Sequence, residues 1–365
     1  MEVNYTKIAA VIFMGLLTFN VSSQTQSSGQ LSENRTTRPD WEISGFIDAY
    51  YAADLLDNTD DKAVQPFLFN HNRNREFQIN LAMLKVAATS DYYRAVVHLQ
   101  TGTYAFDNYA AEPILYQTLY EAYAGIALNK RQTSWLDFGI FESHIGYESA
   151  ISIRNYTLTR SLMAENSPYF LTGARLTLKP GEQWVFRLIL SNGWQRIERP
   201  EAQKWPALGT QVEYQWGDGY TANWSTFWGG EFPTGERRER FYNNFFIRRD
   251  LPTKISWIVG LDIGFQEDLS GRESTHFWYT ANALISYPVA KACRMAVRAE
   301  RYEDADASLI GPDFSAWAGS VNVDYQPAPQ VALRFEVKYL YSDLSVRAEQ
   351  SQLMLTTSIA AEIGR

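Results

Sequence analysis

Residues 141–170, FESHIGYESAISIRNYTLTRSLMAENSPYF, hold one His, three acids, two Arg, three Tyr and several Ser. Glu142, His144, Tyr147, Glu148, Arg154, Arg160 and Glu165 put acids, a base and cations close together in the chain. His144 and Ser149 are the pair to cast as base and nucleophile. The surroundings do not support that role. There is no G-x-S-x-G elbow, and no third group stands at a recognisable spacing, as a triad needs. The chain has four His, at 71, 98, 144 and 276, and none pairs with another as in H-E-x-x-H. Two acidic runs, DNTDD (57–61) and YEDADAS (302–308), do not fit a calcium loop and read as solvated acids at a mouth. No catalytic, cofactor-binding or metal-binding residue is assigned, and the chain does not read as an enzyme. The 141–170 stretch needs another reason to hold polar groups together.

That reason lies in the elements around it. The chain has 365 residues, with 15% aromatic and 20% charged content and a net charge of −8. Its mean hydropathy is −0.30. An acidic chain without a basic face does not bind nucleic acid. Lys7 precedes an apolar run from Ile8 to Phe19, too short for the roughly 20 residues of a membrane helix. With Val21 and Ser23 as small residues before a cut, 1–23 reads as a secretory signal peptide and 24–40 as a flexible leader. One Cys, Cys293, rules out a disulfide framework.

From 41 to 365 the recurring pattern is period two. In KISWIVGLDIGF (254–265), Ile255, Trp257, Val259, Leu261, Ile263 and Phe265 share one face. In VALRFEVKYLY (331–341), Val331, Leu333, Phe335, Val337, Tyr339 and Tyr341 oppose Arg334, Glu336 and Lys338. Alternation at this period means strands with one apolar side. About sixteen such segments are present, most of them long. Short turn-like connections such as PGEQ (180–183) and GDG (217–219) alternate with longer ones such as 53–75, 104–118, 143–168 and 304–312. This is the layout of an all-β transmembrane antiparallel barrel, with short periplasmic turns and long extracellular loops. A soluble sandwich would turn the apolar face inward. Strand length, a charged opposite face and aromatics near strand ends favour lipid: Tyr50, Tyr51, Tyr92, Tyr93, Trp135, Trp184, Trp194, Trp216, Tyr220, Trp228, Tyr287 and Tyr325. In hydrocarbon no edge can stay unpaired, so the first strand must meet the last.

GFIDAYYAAD (45–54), PFLFNHNRNREFQINLA (66–82), TGTYAFDNYAAEP (101–113), IFESHIGYESAIS (140–152), YTLTRSLMAENSPYF (156–170) and LILSNGWQRI (188–197) resemble the β-barrel porin-2, or OmpL-like, family of Gram-negative outer membranes. The resemblance implies a porin-like barrel rather than any named solute. Such barrels commonly end on an aromatic residue read by the barrel-insertion machinery. Here the last residues are Glu362, Ile363, Gly364 and Arg365.

In such a barrel, residues 143–168 are expected to fold inward as a constriction, or else to form an extracellular loop packed on its neighbours. LTRSLMAEN within this segment makes one or two helical turns, ended at Ser167-Pro168. Asp48, Glu121, Asp137, Arg175, Arg187, Glu213, Asp262, Arg298, Arg334, Glu336 and Lys338 face the lumen by strand phase, either as a field across the channel or as structural wall ion pairs. His71, Arg73 and Arg75 stand at the outer mouth, facing lipopolysaccharide. Lys85 falls on the lipid face and snorkels near the periplasmic end. The function expected is passive diffusion of small polar solutes through the outer membrane, by a barrel that can form a homo-oligomer. The alternative is a non-conducting barrel whose loops bind an extracellular partner or anchor the envelope.

Overall fold

The alternating segments become the staves of a barrel. The computed structural model describes residues 37–56, 67–201, 203–231, 238–251, 253–267, 275–306, 308–310, 312–343 and 351–364. The signal peptide and most of the leader lie outside them. Sixteen strands are present among the described residues: β1 (Asp40–Asp54), β2 (Glu76–Thr89), β3 (Tyr93–Thr101), β4 (Leu119–Ala127), β5 (Ser134–Glu142), β6 (Phe170–Leu178), β7 (Trp184–Ser191), β8 (Ala207–Trp216), β9 (Tyr220–Glu231), β10 (Arg238–Arg249), β11 (Ser256–Glu267), β12 (Thr275–Ala290), β13 (Cys293–Asp306), β14 (Pro312–Ala328), β15 (Val331–Ser342) and β16 (Ser351–Gly364). Each pairs antiparallel with its sequence neighbours, and β1 closes on β16 from Ser44↔Gly364 to Asp54↔Met354. No helix among the described residues is long and apolar enough to cross a membrane.

Alternation sorts the faces as the pattern predicts. Val259, Leu261, Phe335 and Val337 are exposed on the outside, while Asp262, Arg334, Glu336 and Lys338 are buried on the inside. The wall is uneven. Strands β3 to β6 have nine residues each and β7 has eight. Strands β12, β13 and β14 have 16, 14 and 17. Where strands are short, the chain enters its long connections deep in the barrel. Residues 103–108 and 162–165 form short helical pieces there, and 114–117 forms another that leaves Ile114 and Leu115 exposed.

Three expectations need correction. Asp48 pairs with Leu81 and Ala49 with Ile79, so Asn80 is an extra residue in β2. This bulge flips the phase of the strand beyond it. Lys85 therefore faces inward with Leu81 and Met83 and lies 3.3 Å from Glu42. Three aromatics assigned to the girdles point elsewhere. Tyr50 and Trp135 are buried, and Trp194 packs inside at 5.1 Å from Phe227. Trp184, Trp228, Tyr287 and Tyr325 are exposed, and the rings of Trp184, Tyr214, Trp216 and Tyr220 follow one another at 4.4–5.5 Å. Last, the strands reach into the 304–312 connection, β13 to Asp306 and β14 from Pro312. Asp304 turns the chain by accepting the Ser308, Leu309 and Ile310 N–H groups at 2.7–3.0 Å.

Candidate functional site

Glu142 and Phe170 form the last pair of β5 and β6, and from there residues 143–168 turn into the barrel. The first anchor is His144. Its Nε2–H donates to the Thr226 carbonyl at 2.8 Å, and its own carbonyl accepts Ser225 Oγ at 2.7 Å and Gln211 Nε2 at 3.1 Å. Burial lowers its pKa to about 4, so the ring is neutral at pH 7. Gly209 makes room for it: a Cβ there would sit 2.6 Å from His144 Cε1. Gly146 N–H donates to Asn244 at 3.0 Å, and Gly260 leaves space for Tyr147 and Met163.

The segment then crosses to the far wall. Leu158, Thr159 and Leu162 donate their N–H groups to Asn322 (3.0 Å), Glu336 (2.6 Å) and Glu300 (2.5 Å). Arg298 donates to Thr157 Oγ1 at 2.6 Å and the Thr159 carbonyl at 2.7 Å, and pairs with Glu336 at 3.1 Å. It also faces Glu300 at 2.9 Å without hydrogen-bond alignment. Lys338 reaches Glu300 at 3.1 Å. Arg334 binds Asp324 through two nitrogens and the carbonyls of Ser152 and Asn155. Within the segment Glu148 accepts Ser161 N–H and Oγ–H, and Ser161 caps the single turn at 162–165. Glu165 accepts Phe69 N–H at 2.7 Å and Tyr169 OH at 3.0 Å, and burial raises its pKa. The Arg160 guanidinium lies 3.8 Å over the Tyr169 ring. Arg154 is half-exposed, 3.4 Å from Glu362.

The remaining wall residues form two further groups. Asp137 is shared by Arg94 at 2.7 Å and Arg175 at 3.1 Å. Asp262 is buried and accepts Tyr242 OH and, at 2.5 Å, Asn244 Nδ2. Glu121 lies 3.5 Å from His98. Arg187 donates to Gln211 and faces a cavity of about 290 Å³ beneath the crossing segment, which Arg175, Glu213 and Arg248 also line.

The cluster expected at the outer mouth does not stand there. His71 is buried and bonded to Asp48 at 2.8 Å, because the 67–75 segment folds inward onto the Asn80 bulge. Arg73 is paired with Asp107 at 2.7 Å. The acidic run 57–61 lies outside the described residues, and among those described no acidic or His cluster has metal-ligand geometry. His144 and Ser149 share no hydrogen bond among the described residues; Ser149 Oγ accepts Ile151 N–H. Sequence reasoning missed the seats of the segment, Gly209, Gly260, Asn244 and Asn322. Their signal was a small or amide residue on the polar face of a strand.

Several solved structures share this fold. The anion-selective porin of Comamonas acidovorans has 10% identity and a TM-score of 0.62, over 89% of this chain and 100% of that one. The outer-membrane channel DcaP of Acinetobacter baumannii has 9% identity and a TM-score of 0.63, over 90% and 99%. The trimer form of OmpT, an outer-membrane protein of Vibrio cholerae, has 10% identity and a TM-score of 0.58, over 90% and 100%. No curated protein sequence matches the chain. The family profile described as "Putative beta-barrel porin-2, OmpL-like" matches residues 40–363. With that match running from the first strand to the last, the chain belongs to this family and is an outer-membrane β-barrel of porin type.

Proposed function

We propose that the barrel is a passive diffusion channel for small polar solutes, with residues 143–168 as its constriction. The supporting observation is that backbone N–H groups of this segment are bound by side chains of the opposite wall: Leu158 by Asn322, Thr159 by Glu336, Leu162 by Glu300. A polar strap tied across a wet barrel narrows the path without closing it by apolar contact. The outer face meets outer-membrane lipid. A homo-oligomer is proposed on the likeness to the OmpT trimer form.

Single-channel recording in planar bilayers tests this. The intact protein should conduct, and excising 146–166 should raise the conductance several-fold. An unchanged conductance would remove the constriction role. One observation favours a second reading. Leu158, Leu162 and Ser161 are fully buried, as in a closed barrel whose loops serve a partner outside. That barrel would carry no current when intact.

A further inference from the structure

We propose that the cavity beneath the crossing segment binds a small organic carboxylate, clamped by Arg187 and Arg248. The inference rests on the channel reading above and names a solute class for it.

The charges that line the cavity are unevenly partnered. Its acids already have donors. Glu142 accepts Tyr120 OH at 2.7 Å, Glu148 accepts Ser161 N–H and lies 3.5 Å from Arg298, and Glu213 accepts Gln215 Nε2 at 2.8 Å. Two of its arginines have no carboxylate at ion-pair distance among the described residues, although Glu213 shares the cavity with Arg187. Arg187 has only the Gln211 amide oxygen as a hydrogen-bond partner among the described residues. Arg248 has a buried Nε with no partner. Nearby, Arg175 shares the single carboxylate of Asp137 with Arg94, so that pair carries no surplus negative charge for Arg187. The chain as a whole has net charge −8, yet in this cavity four arginines, Arg160, Arg175, Arg187 and Arg248, stand against three glutamates. Guanidinium groups match a carboxylate as a planar fork.

The remaining walls say what the carboxylate is attached to. Phe141, Tyr147 and Phe246 line the cavity, with the last two ring to ring at 5.4 Å. A cavity of about 290 Å³ is at the lower end for a small-molecule site. An apolar body of about one ring with one carboxylate suits both. Arg248 also lines a second recess, among Trp216, Tyr220 and Asp250 beside the short turns.

Benzoate is the probe, with benzamide as its neutral match and inorganic phosphate as an anion without a ring. In planar bilayers benzoate should reduce the current through the intact protein, and benzamide and phosphate should do so much less. Arg187→Gln should raise the half-blocking benzoate concentration about tenfold, Arg187→Lys less. A conducting protein that ignores benzoate would overturn the site and leave the channel reading standing. Equal block by phosphate would overturn the organic-carboxylate assignment. Should no current flow, the channel reading fails, but the site is still read by saturation-transfer NMR of benzoate on detergent-refolded protein. A signal weakened in Arg187→Gln supports it, and an absent or unaltered signal overturns it.

Discussion

Two stretches of the same wall treat their charges in opposite ways. Along β13 to β15, Arg298, Glu300, Arg334, Glu336 and Lys338 are all buried and bound to one another or to residues 152–162. Along β6 to β10, Arg187 and Arg248 meet a cavity with no carboxylate of their own among the described residues. The sequence pattern is alike in both: a cation at an inward position of an alternating strand. The crossing segment meets both stretches, through Gln211, Ser225 and Asn244 on one and Asn322, Glu300 and Glu336 on the other. What differs is what binds the wall cations: along β13 to β15 they take carboxylates and the segment's carbonyls and become fastening, while Arg187 and Arg248 are left facing the cavity beneath the segment.

The largest expected effect tests the fastening side. Arg298→Ala leaves Glu300 and Glu336 buried without their main cation. The loss should be about 3–5 kcal/mol, read from denaturant unfolding of the detergent-refolded protein. Arg187→Ala, the matching change on the passage side, should cost less than about 1 kcal/mol. Similar losses at both would erase the contrast. Next, Gly209→Val puts a branched side chain where the His144 ring sits, since even a Cβ at 209 would stand 2.6 Å from that ring. Overpacking there should cost about 1–3 kcal/mol and make single-channel currents noisier as the first anchor loosens.

Acid sharpens the same point. His144 is held neutral by burial with a pKa of about 4. An unfolded His takes its proton near pH 6.5, so below that the unfolded state binds more protons. Stability from this group is therefore complete above about pH 6.5 and is lost as the pH falls toward 4, by at most about 1.4 kcal/mol per unit. His144→Gln should flatten that part of the stability profile. The smallest effect belongs to Lys85. Its pair with Glu42 is partly exposed, so Lys85→Ala should change stability by no more than about 1 kcal/mol.

Much of the barrel was legible because period-two alternation is local. Each strand announces its faces without reference to the rest, and sixteen strands follow from counting. The failures are places where one residue changes the phase or where a distant segment decides. Asn80 adds a residue to β2 and sends Lys85 inward. Tyr50 looks like a girdle ring but bonds Arg73 N–H from within, because 67–75 folds over it. The seats of the crossing segment were hidden for the same reason. Asn322 and Glu336 meet Leu158 and Thr159 across 164 and 177 residues of chain, and nothing local marks a strand position as facing a loop rather than water.

The central claim is that solutes pass along the β6–β10 side and not along β13–β15. Thiol modification during recording tests it most directly, using Arg187→Cys and, separately, Ser320→Cys, each with Cys293→Ala. Ser320 is buried on β14. A charged methanethiosulfonate reagent should cut the current through the Arg187→Cys protein and leave the Ser320→Cys current unaltered. Block at Ser320→Cys with none at Arg187→Cys would put the passage on the wrong side of the barrel and contradict the account.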